Sequence, residues 1–127
     1  MFNTAIGGNA GFLTTTGNSN TFIGQSAGSS NTTGANNIFI GRNALGAVNS
    51  DTNSIVIGKD AVGHGSNIAV IGTTDTTAWH PADDNGVDLG STAYSFKDAY
   101  IQGVYYDTSG AAGGAGQVLS STATGTS

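Results

Sequence analysis

Few residues in this chain have the types and spacing that chemistry requires. His64 and His80 are the two histidines, and neither sits in a ligand-spaced motif. In a trimer, one histidine on the axis would create a three-histidine metal site; the plainer expectation for both is an exposed loop. Asp83, Asp84, Asn85 and Asp88 form an oxygen-rich cluster of the kind that holds Ca²⁺, but their spacing departs from an EF-hand loop and reads as a solvated turn. Gly110-Ala111-Ala112-Gly113-Gly114-Ala115-Gly116 has the glycine content of a phosphate cradle, yet no Lys-Ser/Thr follows it, so it reads as a linker. With seventeen Thr and thirteen Ser, any Ser/His/Asp triplet is without meaning. No catalytic constellation, cofactor site or metal site is expected, and the chain does not read as an enzyme.

Composition narrows the classes further. The chain has 127 residues, enough for one domain or a short repeat array. Charge is sparse and acidic, at a formal −5, and the first charged side chain is Arg42. Three basic residues cannot neutralise a phosphate track, so no nucleic-acid partner is expected. No apolar run approaches a membrane span, and the N-terminal residues lack the basic and apolar regions of a signal peptide. Cysteine is absent, which excludes disulfides and thiolate sites. Gly, Thr, Ser and Asn fill the non-apolar positions, so almost no helix is expected.

What such residues would have to hang on is a repeat. Ile6, Ile23, Ile40 and Ile57 stand 17 residues apart, each followed by Gly, and Ala10, Ala27, Ala44 and Ala61 keep the same interval. A fifth copy, Val70-Ile71-Gly72, arrives 14 residues later, the loss falling in the loop after Gly63. A fixed period shorter than a domain means one supersecondary unit stacked on itself. Asn3-Thr4-Ala5-Ile6-Gly7, Asn20-Thr21-Phe22-Ile23-Gly24, Asn37-Ile38-Phe39-Ile40-Gly41, Ser54-Ile55-Val56-Ile57-Gly58 and Ile68-Ala69-Val70-Ile71-Gly72 each read as a short strand ending in a glycine corner. A shorter strand around Ala and a loop back would complete each coil.

Side chains alternate faces along a strand. The Ile column and the residue two before it point one way. Ala5, Phe22, Phe39, Val56 and Val70 point the other, and that column is apolar too. A strand apolar on both faces is buried on both. The expectation is that one face fills its own coil and that association covers the Phe/Val column, taken as the outward one. A coil offers about three buried apolar side chains at roughly 1.5–3 kcal/mol each. Ordering its residues costs on the order of 1.5 kcal/mol apiece, so a coil alone should not hold. An obligate homo-oligomer is expected.

At these residues the chain resembles the head repeat of trimeric autotransporter adhesins, whose Asn-Ser-φ-Ala-Ile-Gly runs build a left-handed parallel β-roll with three chains side by side. The resemblance covers about residues 1–72. Such repeats also occur in phage tail fibres and other viral fibres. A second stretch, about residues 79–106, decides between them. Trp79-His80-Pro81-Ala82-Asp83-Asp84-Asn85-Gly86-Val87-Asp88-Leu89-Gly90-Ser91 and Tyr94-Ser95-Phe96-Lys97-Asp98-Ala99-Tyr100-Ile101-Gln102-Gly103 resemble a segment common in phage tail-fibre proteins. Gly116-Gln117-Val118-Leu119-Ser120-Ser121-Thr122-Ala123-Thr124-Gly125-Thr126 is similar to the stretch that often precedes a distal domain there.

The resemblance implies a homotrimeric structural protein of a virion tail fibre, extracellular, working with other tail components and with a host-surface glycan or protein receptor. The other reading is a bacterial adhesin head, expected to have a signal peptide upstream and a barrel anchor downstream. A tailspike with glycan-processing activity would need paired carboxylates in a groove. The expected architecture is all-β: a parallel β-roll over 1–72, an intertwined β section over 73–108, and a Gly/Ser/Thr-rich flexible connector over 109–127. Two short strands are expected around Tyr94-Ser95-Phe96. The expected core and trimer-interface residues are Ile6, Ile23, Ile40, Ile57, Ile71, Phe22, Phe39, Val56, Val70, Phe96 and Tyr100.

Overall fold

The computed structural model describes residues 2–82 and 87–102. The chain divides into two compact units, Met1–His80 and Pro81–Ser127.

The first unit is a parallel β-solenoid. Five strands, β1 (Thr4–Ile6), β2 (Thr21–Ile23), β3 (Ile38–Ile40), β4 (Ile55–Ile57) and β5 (Ala69–Ile71), lie in chain order in one sheet. Each pairs in parallel with the next, and equivalent residues sit side by side: Ala5 beside Phe22, Phe22 beside Phe39, Phe39 beside Val56, Val56 beside Val70. The 14-residue step therefore leaves the strand register intact, and the shorter loop absorbs the deletion. No helix forms among the described residues.

Each strand stops after three residues because the glycine that follows cannot continue it. Gly7, Gly24 and Gly41 all take φ 128°, a conformation that side chains rarely adopt. A Cβ on Gly24 would meet the carbonyl carbon and oxygen of Gly41 in the next coil at 2.6 Å. Two further corners per coil are left-handed and are filled by small polar residues. Asn9, Ser26, Asn43 and Asp60 form one such column, and Ser19, Asn36, Asn53 and Asn67 the other, all at φ 55–63°. Asn and Asp tolerate this region best because their side chains bond locally.

The interior is thin and regular. Phe22, Phe39 and Val56 are fully buried and meet Ala27, Ala44 and Ala61 on the opposite wall. The Phe22 and Phe39 rings stack with centroids 5.5 Å apart and planes 34° apart. This corrects the expected orientation of the columns: the Phe/Val column faces inward and the isoleucines face out. The reason is geometric. A three-residue strand presents one side chain on one face and two on the other, and a coil this narrow accommodates only the single central residue.

A second ladder lies inside the coils and is polar. Asn20 Nδ2 donates across its own coil to the Gly34 carbonyl at 2.8 Å, and Asn37 Nδ2 does the same to the Asp51 carbonyl at 2.6 Å. Their Oδ1 atoms accept the next rung's backbone N–H, Asn20 from Asn37 and Asn37 from Ser54, each at 2.9 Å. Asn3 begins the series, accepting from the Asn20 N–H at 2.9 Å and donating to the Gly17 carbonyl at 2.9 Å. Ser54 ends it: its hydroxyl donates to the Gly65 carbonyl at 3.0 Å, and the next rung holds Ile68. The ladder ties both walls of a coil and each coil to the next, satisfying backbone groups that burial would otherwise strand.

In the second unit no strand forms among the described residues. The two strands expected around Tyr94-Ser95-Phe96 are not made among the described residues. A strand needs a neighbour for its backbone groups, and Ser91 and Tyr94 instead close a turn, the Ser91 N–H donating to the Tyr94 carbonyl at 2.9 Å. Val104-Tyr105-Tyr106 and the connector over 109–127 lie outside the described residues.

Candidate interaction surface

The outer face of the five-stranded sheet is a surface with a defined pattern. Two columns project from it. One is Ile6, Ile23, Ile40, Ile57 and Ile71; the other is Thr4, Thr21, Ile38, Ile55 and Ala69. Stacking at about 4.8 Å per rung half-buries the middle isoleucines against each other. Ile6 and Ile71, at the two ends of their column, remain 58% and 49% exposed, and Ile38 and Ile55 remain 38% and 37% exposed. Neither column contains a charged residue. The isoleucines thus form an uncharged, mainly apolar stripe along the sheet face, a pattern that solvated walls of monomers rarely show.

One margin of the face is polar and cross-linked. Arg42 reaches Asp60 of the next coil at 2.8 Å, and Asn43 Nδ2 donates to Asp60 Oδ1 at 2.8 Å. Lys59 adds a third contact at 3.1 Å. The Asn43 amide first, then Lys59 and Arg42, hold the Asp60 carboxyl below its ordinary range. The group is exposed, so the contribution to stability is small. Its value is in register, because it fixes the third coil on the fourth at the sheet's rim.

The remaining sequence-derived candidates fall in different places. Phe22, Phe39 and Val56 are core, Val70 is partly buried below them, and Phe96 and Tyr100 are exposed in the second unit. Trp79 and Tyr94 are exposed as well. His64 and His80 are exposed, and among the described residues no group of three His, Cys, Asp or Glu side chains converges. Of the oxygen-rich cluster, Asp88 is described and exposed, while Asp83, Asp84 and Asn85 lie outside the described residues. No described helix is long and apolar enough to cross a membrane.

Two features went unread in the sequence. The asparagines opening the first three rungs form the polar ladder, partly buried at Asn3 and fully buried at Asn20 and Asn37, and their 17-residue spacing was the available signal. Asp51 is buried too, and its Oδ2 accepts the Val48 N–H at 3.0 Å, which shapes the loop of the third coil.

The fold and its surface together define a β-solenoid repeat protein with one apolar sheet face. Set against known proteins, the chain matches no family model, no curated protein and no solved structure.

Proposed function

We propose that this chain is a structural segment of a homotrimeric fibre, of the kind found in phage tail fibres and related virion fibres, that carries host-attachment elements. The observation behind this reading is the uncharged isoleucine face, which runs the length of the solenoid and stands uncovered in a single chain. Three copies meeting along that face bury both outward columns. Trp79, Tyr94, Phe96 and Tyr100 add a second store of uncovered aromatic surface. Equivalent segments of neighbouring copies would cover it and supply the strand partners a lone chain lacks. The resemblance of residues 79–106 to tail-fibre segments supports a virion fibre over a bacterial adhesin head.

Light scattering on the native chain tests the reading. The expected result is three times the chain mass, retained on dilution. A folded monomer would overturn it.

A further inference from the structure

The two ends of the solenoid are finished differently. At the last coil, Thr76 sits beneath the Gly72 corner, where a Cβ would meet its Oγ1 at 2.6 Å. Thr76 takes the place that the following coil's corner takes beneath Gly7, Gly24 and Gly41. Its own turn holds it there, the Thr76 N–H donating to the Thr73 carbonyl at 3.0 Å and its Oγ1 accepting the Thr73 N–H at 2.9 Å. The first coil has no such cover among the described residues.

Which groups the first coil turns outward follows from the coils below it. In the second and third coils, the Gly24, Ser26 and Asn36 N–H groups donate upward to the Ile6, Gly8 and Asn18 carbonyls at 2.8–3.0 Å. The Ala27, Ser29 and Thr32 carbonyls accept from Gly11, Leu13 and Thr15 above them at 2.8–3.2 Å. One period earlier stand the N–H groups of Gly7, Asn9 and Ser19 and the carbonyls of Ala10, Phe12 and Thr15, none of them paired with a described residue. Strand β1 is the edge of its sheet, and Thr4 and Ile6 turn their groups toward the second coil, so Ala5 turns both of its own outward. Edge strands are ordinarily blunted by charge, proline or a bulge. Thr4-Ala5-Ile6 has none of these, and no charged side chain precedes Arg42.

We propose that this end is a docking site for the terminal coil of another β-solenoid polypeptide, stacked in parallel on the first rung. The outward donors and acceptors repeat the pattern that joins every inner pair of coils, so the partner is read through its backbone. Two side-chain requirements follow. The partner needs glycine over Gly7, because a Cβ there would strike the Gly7 carbonyl as one on Gly7 would strike that of Gly24. It also has room for an aromatic residue over the exposed Ala5, which stands where the next two rungs have Phe22 and Phe39. A second copy of this chain fits less well. Head to tail, its last coil is closed by the Thr73–Thr76 turn. Head to head, the strands would run antiparallel and no glycine corner would meet another. This edge lies along the stacking axis and the isoleucine face runs beside it, so docking and trimer mass fail separately.

The probe is a synthetic peptide of residues 20–53, two coils of the same repeat, used free and fused directly ahead of Asn3 in place of Met1-Phe2. Titrating the free peptide into the native chain should shift the Ala5, Gly7, Asn9 and Ser19 amides in NMR spectra. Fusion should slow hydrogen exchange of the same amides by about tenfold or more. Ala5→Pro removes a donor that faces away from β2, and should weaken the free peptide by about tenfold with native mass unchanged. Ala5→Arg, which charges the edge, serves where proline unfolds the rung. Unchanged exchange in the fusion would overturn the template. Slowed exchange in the fusion with no shift from the free peptide would overturn docking by a separate chain. Binding unaffected by either Ala5 variant, or shifts centred on the isoleucine columns, would place the contact elsewhere and overturn the proposal as well.

Discussion

Asn37 shows how much a single polar side chain holds in this fold. It donates to the Asp51 carbonyl and accepts the Ser54 N–H, and all three residues are buried. Asn37→Ala would strand both backbone groups without water, at about 1–3 kcal/mol each, so chemical denaturation should show a loss of about 3 kcal/mol. Phe39→Ala removes the ring stacked on Phe22 and leaves a cavity; the expected loss is about 3–5 kcal/mol in the same assay. Asp60 belongs at this scale too. Its carboxyl titrates below the ordinary 3.8 in the folded chain, chiefly through Asn43 and then Lys59 and Arg42. A depressed carboxyl adds stability above its unfolded value and loses it as pH falls through the folded one. Wild type should therefore shed a small increment of stability across that acid window that Asp60→Asn lacks, and a pair of pH-resolved melting curves would show the difference.

One coil depends on its glycine corner as an element depends on a hinge pin. Gly24 combines φ 128° with a neighbouring carbonyl 2.6 Å from where a Cβ would stand. Gly24→Ala must therefore displace the Gly41 corner of the next coil, and thermal melting should drop sharply or lose cooperativity. Gly8 provides the control, since a Cβ there meets nothing within 4 Å and the backbone is not left-handed. Gly8→Ala should change stability by no more than about 1 kcal/mol. Equal damage from both would remove the stacking argument for the glycine column. The short fourth coil illustrates the same economy: its strand stays paired to β5 while the loop alone loses length.

For the whole molecule, the proposed trimer makes a claim about which face would join copies together. Ile40 points out and Phe39 points in, so the two neighbours should fail differently when charged. Ile40→Asp should abolish the proposed trimer and leave the strand signal in circular dichroism largely intact. Phe39→Asp should abolish both, because a carboxylate in that dry interior has no partner. An Ile40→Asp chain that still assembled would show that the isoleucine face is not the contact.

The periodic part of this architecture was legible in the residues themselves. Equal spacing of Ile-Gly and Ala gave coil length, strand position, parallel stacking and the glycine corner, because a repeat that pairs with itself must keep register. The inward sense of the Phe/Val column was not legible, since alternation on a strand is blind to which side is the core; coil width decided that. Nor was the asparagine ladder, whose residues look like turn formers until the chain closes and brings the Gly34 and Asp51 carbonyls within reach. Local spacing settles what is stacked, and closure of the coil settles what each side chain meets.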